Sequence, residues 1–197
     1  MRSAENAFVK FVKESIGEHG LSLNIKNSTW VYSNGFKCWG FFDEEQICVA
    51  KKNPKWIEVL AHEYSHFIQW KSGTSLYRKC FGPTNNYSDV VEDWLSGKQF
   101  DNRRVRKAFE TYRGMERECE QITVKIIQKH NIACDMERYK QEANLLIYMY
   151  HYMEMTRTKS FKKNPDWRMI RKMPSSFRSQ SHKTVSKEIL DVFEDLV

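Results

Sequence analysis

The sequence predicts an α+β fold, mostly helical, with a small N-terminal antiparallel sheet preceding a helix that carries two histidines one turn apart. Three observations predict it. Short β-rich runs are confined to residues 21–51, apolar residues recur at helical spacing through most of the remainder, and the aromatic content is high. Six Trp, nine Tyr and twelve Phe in 197 residues bury much apolar area per residue, whereas chains that stay disordered are poor in these types. The length suits one domain, residues 1–156, with residues 157–197 as a basic C-terminal extension packed on it.

Taken in order, Phe8, Phe11, Val12 and Ile16 lie at helical spacing within residues 3–20, while Lys10, Lys13 and Glu14 break any apolar run that a secretion signal needs. No later stretch approaches a membrane span in length, so no membrane partner is expected. Leu21 to Ile25 alternates apolar and polar residues, and Thr29 to Tyr32 is a second β-rich run. Phe36 to Phe42 and Gln46 to Lys51 flank Asp43-Glu44-Glu45, a polar break suited to a hairpin loop. Asn53 is positioned to cap the next helix and Pro54 suits its first turn; Ile57, Leu60, Ala61, Tyr64 and Ile68 then share one face as far as Ser72-Gly73.

From Gly73 to Asp101 the turn signals Gly82-Pro83 and Asn85-Asn86 predict loops with one short helix near Asp89 to Leu95. Long helices are predicted over residues 102–130 and 135–155, and an amphipathic one over 184–196. Residues 161–177 are mixed. Five cysteines, odd in number and without a CxxC pair, indicate neither a disulfide framework nor a cysteine zinc knuckle, although Cys38 and Cys48 could face each other across a hairpin. Reduced thiols fit a cytoplasmic chain.

The motif His62-Glu63-Tyr64-Ser65-His66 carries the chemistry. Residues four apart on a helix stack one turn above each other, so two imidazoles can meet one zinc ion, and Glu63 can take a proton from water that the metal has made more acidic. The chemistry requires a third protein ligand. Glu116 and Glu120 lie one turn apart beside the apolar stripe Met115, Cys119, Ile122 and Ile126, and Glu118 points away from that stripe. Among other candidates, His130, His151 and His182 are further imidazoles, and Tyr148, Tyr150 and Tyr152 are phenols that could stabilise an oxyanion.

The stretch Glu116-Arg117-Glu118-Cys119-Glu120-Gln121-Ile122-Thr123 resembles the second motif of gluzincins, particularly the ImmA/IrrE-like metallopeptidases. Residues 40–50 and 59–63 are similar to small phage-encoded metallopeptidase-like proteins. The resemblance spans residues 36–130. It implies a minimal zincin-like domain and a zinc-dependent peptidase acting on a protein or peptide, in the host cytoplasm if phage-encoded. It also implies Glu63 as general base, one zinc on His62, His66 and Glu116, Glu120 behind a zinc-binding histidine, and Cys119 and Thr123 as small packing positions. Glu at 120, where the family more often has Asp or Asn, leaves open an exchange in which Glu120 binds the metal.

Charge supplies the rival readings. Between Arg157 and Lys187 stand ten Lys or Arg against one acid, Asp166, in a chain whose net charge is +7. Phe161, Trp167 and Phe177 lie among these cations, the mixture that stacks bases while binding phosphate. Lys162, Lys163, Arg171 and Lys172 are the candidate contacts to DNA or RNA. A nucleic-acid-binding module, or a protein that holds a peptide uncut, would keep the histidine site as a structural or vestigial one.

Overall fold

The computed structural model describes residues 2–33, 35–159, 165–177 and 185–196. The fold is α+β. Contacts divide the chain into two compact units, Met1–Gly73 with Cys119–Cys134, and Thr74–Glu118 with Asp135–Val197.

The first unit begins with α1 (Arg2–Gly17), whose Phe8, Val12 and Ile16 are fully buried at the spacing that predicted the helix. Its Ser15 hydroxyl lies 2.8 Å from that of Tyr64 on α2 (Trp56–Ser72). Five strands lie between these helices: β1 (Ser22–Lys26), β2 (Val31–Ser33), β3 (Phe36–Cys38), β4 (Gly40–Phe42) and β5 (Gln46–Ala50). They form a three-stranded sheet in the order β1-β5-β4 and a separate β2-β3 ribbon.

The expected antiparallel sheet is mixed. β4 and β5 are an antiparallel hairpin with Phe41 opposite Cys48, but β1 runs parallel to β5, with Leu23 beside Ile47 and Ile25 beside Val49. A parallel neighbour needs a long crossover, and the β2-β3 ribbon lies within that connection. β5 has neighbours on both sides and residues 47–50 are all buried, which is why it reads as a continuous apolar run rather than an alternation.

The run from Phe36 to Phe42, expected as one strand, breaks at Trp39 into β3 and β4, which join different sheets. In the ribbon, Val31 and Cys38 are opposite each other, and Val31 packs in a cluster with Cys48 and Ala50 that Cys38 flanks. Tyr32 and Lys37 form the next pair, where Tyr32 is 68% exposed, and the adjoining Trp30 and Trp39 stack at 5.8 Å. All five cysteines are free thiols.

α2 starts two residues later than Pro54 suggests. Asn53 does not cap it; its Oδ1 accepts from the Lys55 N–H in the preceding turn, and Lys55 occupies the cap position with no side-chain capping bond to the helix. Gly73 ends α2 in the left-handed conformation that suits glycine. The buried hydroxyls of Ser65 on α2 and Thr123 on α5 (Asn102–Lys129) are 2.8 Å apart, so the end of α5 that belongs to the first unit is locked to α2. His130 packs against the rings of Phe8 and Phe11.

The second unit holds α3 (Ser75–Phe81), α4 (Tyr87–Leu95), the first part of α5, α6 (Met136–Thr156), α7 (Trp167–Ile170) and α8 (Lys187–Glu194). α3 falls where only loop was expected. The Thr74 hydroxyl caps it, and it buries just Tyr77 and Cys80, too little periodicity to stand out in sequence. Val90 and Val91 pack on Val105, Ala108 and Phe109. α6 collects the end of the chain: Leu145, Tyr148 and Tyr152 pack with Ile170, Met173, Val192, Phe193 and Leu196. The Gln141 and Asn144 amides donate to main-chain oxygens between Arg171 and Ser176, which ties that segment to α6. Among the described residues, no helix is long and apolar enough to cross a membrane.

One close approach sets the spacing of helix and sheet. A Cβ on Gly40 would meet Val59 Cγ1 at 2.6 Å and Cys48 O at 3.2 Å. Gly40→Ala should therefore cost about 1–3 kcal/mol, as overpacking does, with part recovered by Val59→Ala. Urea midpoints test this; equal midpoints for Gly40→Ala and the unchanged chain would mean that no such contact exists.

Candidate metal centre

The centre is built on the helix period. His62 and His66 project from successive turns of α2, and their Nε2 atoms are 3.1 Å apart. Two nitrogens held about 2.0–2.1 Å from a tetrahedral zinc would sit about 3.3 Å apart. The imidazoles therefore already stand at close to the separation that one ion requires.

Each ring is oriented from its other nitrogen. His66 Nδ1 is 2.9 Å from Gln69 Oε1, an oxygen that can only accept, so the proton sits on Nδ1 and the Nε2 lone pair faces inward. His62 Nδ1 is 3.1 Å from Glu120 Oε1, the carboxylate contact that commonly steadies a metal-binding histidine. Gln69 is fully buried and Glu120 is 4% exposed, which leaves neither orienting group free to swing.

The electrostatics favour one positive charge between the two Nε2 atoms. Burial opposes a charge on His62, but the Cys119 thiol and the Glu120 carboxylate beside it hold its pKa well above the ordinary 6.5. Burial, with the His62 charge next to it, drives His66 down to about 3. The two shifts run in opposite directions, so the pair favours a charge on one ring rather than on both. A metal cation would serve the same pair of lone pairs and the same carboxylate.

Glu63 is 8% exposed, and its carboxylate accepts from the Phe42 N–H. That N–H lies outside the ladder: the Asp43 N–H donates to Gln46 O and the Ala50 N–H to Trp39 O, so Phe42 sits at the alternate register and faces the open edge of β4. Burial, reinforced by the Glu120 charge, raises Glu63 to about 7 against the pull of His62. Its Cγ is also the second nearest atom to a Cβ on Gly40, at 3.1 Å, so the bare glycine makes room for the carboxylate.

Donor atoms of His62, His66 and Cys119 lie within 4.8 Å of one another. The thiol is 3.7 Å from His62 Nδ1 and donates to the His62 main-chain oxygen at 3.5 Å, which places it behind the ring, on the Glu120 side. Thr123 is buried against Ser65. Glu116 is not among the three clustered donors. It belongs to the second unit, where its charge acts on the Cys80 thiol and the Tyr112 phenol. Glu118, in the same unit, accepts from the Thr74 hydroxyl.

The remaining candidates separate cleanly. His151 is fully buried on α6 near Tyr148, and Tyr150 stacks obliquely on Tyr112 at 4.8 Å. Arg171 and Lys172 are exposed, but the cavity they line with Trp167 also carries Asp135, Glu137 and Glu188, which offset much of its positive charge. Lys162, Lys163, Phe161 and His182 lie outside the described residues. Gln69 was missed, although its position three residues after His66 on one helix face was available as a signal.

The chain matches no protein-family model, and neither a curated protein nor a solved structure matches it.

The donor geometry yields a ranking. Gln69→Leu should weaken zinc binding about 10–100-fold, the usual cost of removing an orienting partner. Cys119→Ala should leave it nearly unchanged, because the thiol is bonded to a carbonyl behind the ring. Competition with a chromogenic chelator measures both, and a larger loss for Cys119→Ala would make the thiol a ligand.

Proposed function

We propose that this chain is a zinc-dependent metallopeptidase that hydrolyses peptide bonds of a protein substrate, with Glu63 as general base. The observation that carries the reading is the pair of Nε2 atoms 3.1 Å apart on α2, flanked on the same helix by a buried carboxylate. The donor set fits zinc: borderline-soft imidazoles, each oriented from behind by an amide or a carboxylate, with buried negative charge to balance a cation. Zinc bound there supplies Lewis acidity, which polarises a carbonyl and makes water more acidic.

The chain's own residues do the rest. Glu63 takes the proton of the attacking water and delivers it to the departing amine, so that C–N cleavage releases a neutral amine and a carboxylic acid. Gln69 and Glu120 keep the two imidazoles from rotating. β4 is an edge strand of its sheet, and an extended peptide adding to that edge would lie next to the strand whose Phe42 N–H holds Glu63. An intact Glu63 favours chemistry over a purely structural metal, since retention of zinc does not need it.

Two results test the assignment. The purified protein should hold about one zinc per chain, lost in His62→Ala and in His66→Ala; full occupancy in either variant would exclude the site. Glu63→Gln should keep its zinc while hydrolysis of an unfolded protein falls by about 10²–10⁴. On the resemblance to gluzincins, Glu116→Ala should cost more zinc than Glu120→Ala, and the reverse order would exchange their roles.

A further inference from the structure

Arg113 is a buried cation with only part of its hydrogen-bonding capacity used. It lies on α5 in the second unit and is 3% exposed; its Nη1 is 2.6 Å from Glu154 Oε2 on α6. Among the described residues, its Nε and Nη2 have no hydrogen-bond partner. These two atoms form one edge of the guanidinium plane, and their N–H bonds run nearly parallel, the fork that grips two oxygens of one oxyanion. Leaving such donors buried and unsatisfied costs free energy, and burial already presses the Arg113 pKa down despite the Glu154 carboxylate.

The side chain lines a cavity of about 320 Å³, also within the second unit, together with Lys79, Lys107 and Arg117. Glu110 is the acid in that lining. Lys107 and Glu110 continue into an adjoining groove of about 830 Å³ that adds Arg103, Arg104 and Arg106 against one further acid, Asp101. Lys79, Lys107 and Arg113 are set against Glu110 and, at one nitrogen of Arg113, Glu154, so the cations outnumber the carboxylates, and the Nε/Nη2 fork of Arg113 has no acceptor among the described residues. A doubly charged tetrahedral anion matches them.

We propose that the Arg113 cavity is a binding site for phosphate, free or as a terminal phosphate monoester, gripped by the Nε/Nη2 edge of Arg113 and neutralised by Lys79 and Lys107. The site is independent of the histidine centre and does not rest on the peptidase reading. Lys79 and Lys107 are exposed, so replacing them leaves the buried Arg113–Glu154 pair in place.

Calorimetric titration of the full chain tests it with three probes: inorganic phosphate, acetate, and an oligothymidylate with and without a 5′-phosphate. Inorganic phosphate should bind saturably and acetate should not. The affinity should fall about tenfold or more in Lys79→Ala/Lys107→Ala, the effect of losing one or more charge-assisted contacts, with thermal melting in phosphate-free buffer unchanged. Arg113→Lys, which keeps a cation for Glu154 but no fork, should lose binding as well. If the 5′-phosphorylated oligonucleotide binds, its unphosphorylated form does not, and phosphate displaces it, the source is a strand end; phosphate binding without oligonucleotide binding assigns a small ligand. Absence of saturable binding by both phosphate probes, or equal binding in the lysine variant, would overturn the site and leave Arg113 a structural partner of Glu154.

Discussion

The candidate metal centre depends on how closely α2 can lie against the β4-β5 hairpin. The helix must bury Ile57, Leu60, Ala61 and Tyr64 while turning His62 and His66 the same way, and it must also bring Glu63 to the strand edge. Gly40 permits this because its missing Cβ leaves room for Val59 and for the Glu63 side chain. Phe42, two residues further along β4, then supplies the N–H that fixes the carboxylate. Strand and helix thus define the position of the Glu63 carboxylate through one close approach and one hydrogen bond.

Around this contact the buried polar groups act as a unit. Ser65 holds Thr123, which fixes the part of α5 that carries Cys119 and Glu120. Against the burial of His62, Cys119 and Glu120 raise its pKa, while burial and then the His62 charge lower that of His66. A low-dielectric setting strengthens each of these interactions and makes any unpaired member costly. Removal of one partner would therefore be felt by the next, and the effects of double substitutions here should not add.

Much of this was legible in the sequence, for reasons that can be named. The His62/His66 spacing specifies its own geometry once a helix is granted, and the stripe from Ile57 to Tyr64 grants it. The Glu120 contact with His62 is the one that the gluzincin resemblance implies for that residue. The parallel pairing of β1 with β5 was not legible, because alternation reports which side chains are buried and says nothing of strand direction. The break at Trp39 was hidden inside a run of uniformly β-favouring residues. α3 escaped because two buried side chains over seven residues make no pattern. Gln69 escaped because a glutamine on a helix is usually a solvated residue, so its place three residues after His66 did not by itself mark it as buried.

Buried charge is the feature that ties the two proposals together. Among the described residues, the charged side chains classed as buried are Glu63, Arg113 and Glu120. Taking each out of water is expensive, and such groups persist where something compensates them. For Glu63 and Glu120 the compensation is visible: an N–H from the sheet edge for one, the His62 imidazole for the other. Arg113 has a carboxylate at one nitrogen, two further nitrogens without a hydrogen-bond partner among the described residues, and Lys79 and Lys107 beside it in the lining of one cavity, so its surroundings add like charge where they would be expected to add acceptors. A core arginine selected only to join α5 to α6 would gain nothing from Lys79 and Lys107 nearby. Their presence makes sense for an anion that is exchanged with solvent, because a permanent partner would have been built from the chain itself.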